Sequence, residues 1–388
     1  MTCDLTEWRA EFPTIACETD VHLNHCMVSP LPQRGLDARR ECERAWQTAH
    51  PHPWDEWYDS IDEARERFAR LINASPDEIA VTPSVTQALA RIASAIDFDG
   101  QKEILTTEME FPSTWQLWEA QTRHRNARVR MAESRDGQRI TTDAYADELT
   151  DDTVLVATSH AFSATGGLMD PKAVADLAHD RGAYLFLDAY QSTGVVPIDV
   201  KKQDIDMLAT GTTKFLFGGP GVAFLYVDEE IIPELEPASL GWFSSEERFE
   251  VEHPEYASDA TRFQLGTPPI TNTYQASAGM SVVEEVGVET IHERIVEHTG
   301  HLIRGAEERG FSVATPKADD LRTAIVNVEV DDYEAACENI VEDGFRVSYI
   351  ESRVVDSGIR FSPHFYTTSA EIEAALDSLA THATPYTG

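Results

Sequence analysis

Between Ile79 and Val227, short apolar runs alternate with amphipathic stretches. The runs are Ile79-Ala-Val81, Glu103-Ile-Leu105, Val154-Leu-Val-Ala157, Tyr184-Leu-Phe-Leu187, Met207-Leu-Ala209 and Val222-Ala-Phe-Leu-Tyr-Val227. Apolar runs of this length separated by helical periodicity predict an α/β domain built on a largely parallel sheet. The intervening helices are expected over residues 85–96, 112–122 and 171–180, the last with Asp170 as N-cap and Pro171 at the first helical position. Ligands of such sheets collect at the carboxyl ends of the strands, so the residues just after each run are the candidates for chemistry.

Near Pro269 the pattern changes. A long helical stretch over residues 274–309 is followed by strand patterns at 324–330 and 345–349 and a last helix at 369–381. These predict a smaller α+β domain. The expected organisation is a segment 1–30 that joins the small domain and the site entrance, a large domain 31–268, and a unit 269–388 comprising the long helix and the small domain. His50-Pro-His-Pro-Trp54 reads as a loop, and no internal repeat or low-complexity tract interrupts the chain.

Composition narrows the function classes. The formal charge is −37, with only six lysines among the 31 basic residues. A carboxylate field of that density repels nucleic acid and anionic lipid, so neither is expected as a partner. Molar salt shortens the Debye length to about 3 Å and screens the self-repulsion, so the acidity reads as an adaptation to a high-salt cytoplasm, with an acidic protein of an ordinary cell as the alternative. No segment approaches the roughly 20 apolar residues of a membrane span. Cys3, Cys17, Cys26, Cys42 and Cys337 form no CxxC pair and no zinc-like spacing with histidine, so they read as reduced thiols of a cytoplasmic protein, and no metal is expected.

One lysine differs from the other five. Lys214 lies in Thr212-Thr-Lys-Phe-Leu-Phe-Gly-Gly-Pro-Gly221, where burying an ammonium costs several kcal/mol unless it is paired or neutralised. A lysine so placed loses its proton readily and attacks carbonyls. A lysine snorkelling at a strand end is the competing reading of this window. Asp188 ends an apolar run 26 residues upstream, where a carboxylate keeps a pyridine nitrogen protonated, and Gln191 follows within reach of a ring oxygen. Alone, Asp188 reads as a cap or turn residue; Lys214 at this distance reverses that. Pro83-Ser-Val-Thr-Gln87 opens a helix and offers N–H groups and a hydroxyl to a phosphate, or simply a Ser or Thr cap. Phe111, in Met109-Glu-Phe-Pro-Ser113, offers a face for a flat ring or a core side chain.

These residues together resemble the class V aminotransferase family of pyridoxal-phosphate enzymes, which includes cysteine desulfurases, kynureninases, isopenicillin N epimerase-like proteins and transaminases. The resemblance rests on Pro83–Ala88, Glu108–Ser113, Ser159–Gly166, Tyr184–Gln191, Thr210–Gly221 and Gly266–Pro269, in that order, and extends from Leu23 to Ser362. It implies the PLP-dependent transferase fold type I, a large domain with a mostly parallel sheet plus a small α+β domain. It further implies pyridoxal 5′-phosphate as cofactor, a Schiff base at Lys214, the ring-nitrogen partner at Asp188, stacking by Phe111, and ring-oxygen contacts from Gln191 and Ser163. Phosphate contacts are implied for Val85, Thr86 and Thr213. Thr267 and Trp242 resemble residues that reach the neighbouring subunit's cofactor in a homodimer whose active site is shared across the interface. Arg360 matches the arginine that holds an α-carboxylate, with a surface ion pair as its alternative. Asn24 and His25 resemble an entrance-side segment lining the substrate pocket, although His25 reads equally well as a satisfied core histidine.

Departures from the family pattern select among its reactions. The loop 345–358 holds no cysteine where desulfurases carry their persulfide nucleophile, and Thr213 stands where kynureninases usually place tyrosine. The expectation is therefore transamination of a small amino-acid substrate through Lys214. A kynureninase-like, C–S lyase-like or epimerase-like reaction is the alternative, and a non-catalytic pyridoxal-phosphate-binding protein is the alternative of another class.

Overall fold

The computed structural model describes residues 5–17, 20–48, 51–100, 102–350, 352–355 and 358–387. Cys3 and the side chain of Cys17 lie outside the described residues. Seven strands, numbered here in chain order, form the central sheet: β1 Ile79–Thr82, β2 Glu103–Thr107, β3 Arg128–Ala132, β4 Thr153–Ser159, β5 Tyr184–Asp188, β6 Met207–Gly211 and β7 Ala223–Val227. Their order across the sheet is β1-β7-β6-β5-β4-β2-β3, and β7 alone runs antiparallel to its neighbours. Both faces are covered, as the uninterrupted apolar runs require. On β4 and β5, Val156, Leu185 and Leu187 enter the core on one face, while Leu155, Ala157 and Phe186 enter the core on the other.

The helices stand where periodicity placed them, at Val85–Ala95, Pro112–Arg125 and Pro171–His179. Ser84 caps the first by accepting from Gln87 N, and Asp170 caps the third by accepting from Ala173 N. The stretch at 274–309 is not one helix. Gly287, at φ 86, ends Ile270–Val286 and starts Val288–Glu308, because that left-handed conformation breaks the i to i−4 ladder and suits a residue without Cβ. The edge strand β3 has no counterpart among the sequence-predicted runs.

A separate core gathers Val326, Val328, Ile359 and Phe361 with Leu302, Leu376 and Leu379 from the flanking helices. Here Val326–Val328, Ile359–Phe361 and Ser348–Tyr349 make a three-stranded antiparallel sheet. The pattern at 345–349 thus splits into two short strands, and the first of them, Phe345–Arg346, pairs in parallel with Val21–His22. The chain's beginning is thereby tied to its C-terminal part, and Leu23 is buried in the same core. Among the described residues no helix is long and apolar enough to cross a membrane.

Candidate active site

The carboxyl ends of β2, β4, β5 and β6 open into a cleft of about 770 Å³. It lies where the chain, having gone outward from β2 to β3, returns on the other side of β2 as β4, the place where the connecting loops diverge and leave room for a ligand. Val85, Thr86, Phe111, Ser163, Asp188, Gln191, Thr213, Lys214 and Arg360 all line this one cleft. Asp188 is the last residue of β5 and pairs in register with Ser159 of β4 and Ala209 of β6, which fixes its position along the sheet edge. Burial raises the Asp188 carboxyl, and the Tyr190 N–H at 3.0 Å and the Lys214 charge oppose that rise.

Lys214 follows β6 in a turn closed by Gly218 N donating to Thr212 O. Phe217 in this turn takes φ 56, a conformation costing a non-glycine residue about 1–2 kcal/mol. Its fully buried ring, packed on Phe12 and His364, holds it there. Lys214 Nζ sits 4.1 Å from the centroid of the Tyr190 ring. Burial brings its pKa down to about 8; the Asp188 and Cys26 side chains work against that fall, and the Arg360 cation adds to it. With a pKa near 8, about a fifth of such an amine is neutral at pH 7.4, against roughly a thousandth for a free lysine, and the neutral form is the one that does nucleophilic and proton-transfer work.

Arg360, on the strand Ile359–Phe361, crosses to the loop after β4. Its guanidinium donates to Ser163 O at 2.8 Å and Ser348 Oγ at 3.1 Å, and it is 4% exposed. Among the described residues no carboxylate pairs with it, and its Nε has no partner. An enclosed cation of this kind, facing a cleft, suits a carboxylate. On the opposite wall the Val85–Ala95 helix presents its N-terminus, where Thr86 is exposed. Phe111 is 51% exposed and lines the cleft. Gln191 donates from Nε2 to Cys26 O at 3.1 Å and leaves Oε1 buried and unpartnered.

Four expected site residues stand elsewhere. His25 is fully buried, with Nδ1 bonded to Ser362 O and Nε2 to the Tyr366 hydroxyl, both at 2.7 Å, which is the core reading. Asn24 forms a parallel bridge with Ser362 and is not among the residues lining the cleft, where Cys26 and Met27 are. Trp242 packs on Trp54, Phe243 and Phe249. Thr267 is exposed beside Trp46 and Trp57, in a hollow outside this cleft.

Three residues in or beside the cleft carry no signal in their local sequence. Tyr190 lines it, as does Cys26, whose thiol is close enough to bear on Lys214. Glu110 is 7% exposed and accepts from Thr107 Oγ1, Thr158 Oγ1, Ser159 N and Ser159 Oγ, joining the ends of β2 and β4. Burial pushes its carboxyl up to about 7.

A family model described as aminotransferase class-V matches residues 29–375. An uncharacterized aminotransferase, YcbU, of Bacillus subtilis (strain 168) is 36% identical over 374 residues, covering 96% of this chain and 97% of that protein. A kynureninase of Bacillus thuringiensis subsp. konkukian is 28% identical, covering 87% of this chain and 80% of its own. In fold, an apo cysteine desulfurase of Thermococcus onnurineus NA1 superposes with a TM-score of 0.88 at 20% identity, covering 97% of each chain. The cystine C–S lyase C-DES, in complex with cysteine persulfide, superposes with a TM-score of 0.89 at 22% identity, covering 96% of this chain and all of that one. The match over most of the chain, together with the 36% identical relative, shows that the protein belongs to the class-V aminotransferase family.

Proposed function

We propose that the protein is a pyridoxal-phosphate-dependent aminotransferase that moves the α-amino group of a small amino acid. The observation that carries this is the convergence on one cleft of an amine of lowered pKa, a buried carboxylate and a buried guanidinium that has no counter-ion among the described residues. The donor set fits pyridoxal 5′-phosphate. Asp188 suits the ring nitrogen, Phe111 the ring face, and Ser163 and the second Nε2–H of Gln191 the ring oxygen, while the Val85 N–H, Thr86 and Thr213 suit the phosphate. When bound, the cofactor supplies an aldehyde that captures amines and a ring that accepts electrons from the α-carbon.

Arg360 grips the substrate carboxylate and so fixes the orientation of the bonds at the α-carbon. Lys214 would hold the cofactor through its amine; as a neutral amine it takes the α-proton and as an ammonium returns it, a role its pKa near 8 supports. The segment 1–30 contributes the wall residues Cys26 and Met27, the part 269–388 contributes Arg360 with Glu334, Tyr349 and Ile350, and the large domain 31–268 contributes the rest. Trp242 and Thr267, outside this cleft, complete the neighbouring site in a homodimer. The free thiols Cys26, Cys42 and Cys337 suit a reducing cytoplasm.

The test is a screen of the purified protein against amino acids with keto-acid acceptors. The expected result is one new keto acid per acceptor aminated. Release of ammonia, sulfide or a side-chain fragment without need of an acceptor would instead establish a lyase, the reading that the kynureninase relatives favour.

A further inference from the structure

We propose that Tyr190 is a positioning residue for Lys214, its ring face receiving the free ammonium while its hydroxyl fixes Thr213. Three contacts converge on this residue. Its ring centroid lies 4.1 Å from Lys214 Nζ. Its hydroxyl is 2.6 Å from Thr213 Oγ1. Its backbone N–H donates to Asp188 Oδ1 at 3.0 Å. Tyr190 thus touches the residue before the lysine, the lysine itself, and the carboxylate that ends β5.

The fold reserves space for this ring. Gly211 ends β6 although a branched side chain would suit a strand better, and a Cβ built there would fall within the van der Waals envelope of Tyr190 Cε2, Cζ and the hydroxyl. The glycine is needed because the tyrosine occupies its side-chain volume.

The charged and titratable groups facing Lys214 are Asp188 from β5, Cys26 from the N-terminal segment, Arg360 from the small sheet, and Tyr190. Asp188 attracts the ammonium and Arg360 repels it. An aromatic face adds attraction without bringing a second negative charge to the site. The ring therefore holds the amine protonated to a higher pH than the cleft alone would, and keeps the side chain in one place while it is free. This inference rests on Lys214 being the cofactor-carrying residue. In capture, the neutral amine adds to the aldehyde carbon, a C=N bond forms and water leaves. The ammonium cannot attack, so its proton affinity sets the pH at which capture begins.

The experiment uses full-length protein stripped of cofactor, as wild type, Tyr190→Phe, Tyr190→Leu and Gly211→Ala. Each is mixed with pyridoxal phosphate across a pH series, the capture rate is followed by absorbance, and the adduct is fixed with borohydride and mapped. Tyr190→Phe keeps the ring and is expected to keep the wild-type midpoint. Tyr190→Leu should move the midpoint down by about half to one and a half pH units. Gly211→Ala, which displaces the ring without removing it, should move it in the same direction and keeps the inference testable if Tyr190→Leu does not fold. Unchanged midpoints in the ring-removing and ring-displacing variants, or an equal shift in Tyr190→Phe, would overturn the inference. A wild-type adduct mapping to another lysine would instead overturn the cofactor assignment itself.

Discussion

Glu110 offers a stability prediction whose magnitude follows from its surroundings. Its carboxyl, ordinarily near 4.5, stands at about 7 because burial outweighs the four hydrogen bonds it accepts. Among the described residues no cation pairs with it; the titratable neighbour is Tyr145, whose hydroxyl shares Thr158 Oγ1 with it. The folded state therefore holds a proton that the unfolded chain has lost between those two pH values. This contribution to stability is fully present below about pH 4.5 and is lost as pH rises through about 7. Each pH unit between the two values corresponds to about 1.36 kcal/mol, so the whole contribution is about 3 kcal/mol. Glu110→Gln keeps the shape and removes the charge. Its amide oxygen can accept from Thr107, Thr158 and Ser159 N, and the Ser159 hydroxyl can turn to accept from the amide nitrogen. Denaturant unfolding of both proteins at pH 5 and pH 8 should show the wild type losing ground to the variant by roughly 2–3 kcal/mol at the higher pH. A difference between the two proteins that is the same at both pH values would refute the reasoning.

Arg360→Ala should lower kcat/KM for the true substrate by roughly tenfold to a hundredfold, since a charged hydrogen-bonding partner contributes about 1.5–3 kcal/mol; an unchanged value would show that the carboxylate binds elsewhere. Replacing every cysteine by alanine or serine should leave turnover largely intact, although Cys26 forms part of the cleft wall; a folded, cofactor-loaded but inactive variant would make a thiol part of the chemistry. With a formal charge of −37, folded stability should rise from low to molar potassium chloride, and a melting temperature that stays flat or falls would remove the high-salt reading.

What the sequence made legible follows from which interactions are local. β1, β2, β4, β5, β6 and β7 were readable because each is a buried apolar run, and Lys214 because a lone lysine in such surroundings demands an explanation. The edge strand β3, Arg128-Val-Arg-Met-Ala132, hid because an edge tolerates arginine on its solvent side. Gly287 was visible, but apolar periodicity continues on both sides of it, so the break in the helix was not. His25 stayed ambiguous because the partners that satisfy it, Ser362 and Tyr366, lie more than three hundred residues away in sequence. Glu110 is disguised in the same way: its partners Thr158 and Ser159 come from another strand. Tyr190 gave no local hint either, since the space for its ring is made by Gly211 on the adjacent strand.

The central claim, that Lys214 carries pyridoxal phosphate in this cleft, is tested most directly by borohydride reduction of the cofactor-saturated protein followed by peptide mapping. The account predicts loss of the visible absorption band and one covalent adduct, on Lys214. An adduct on any of the other five lysines, or no adduct in saturated protein, would contradict it.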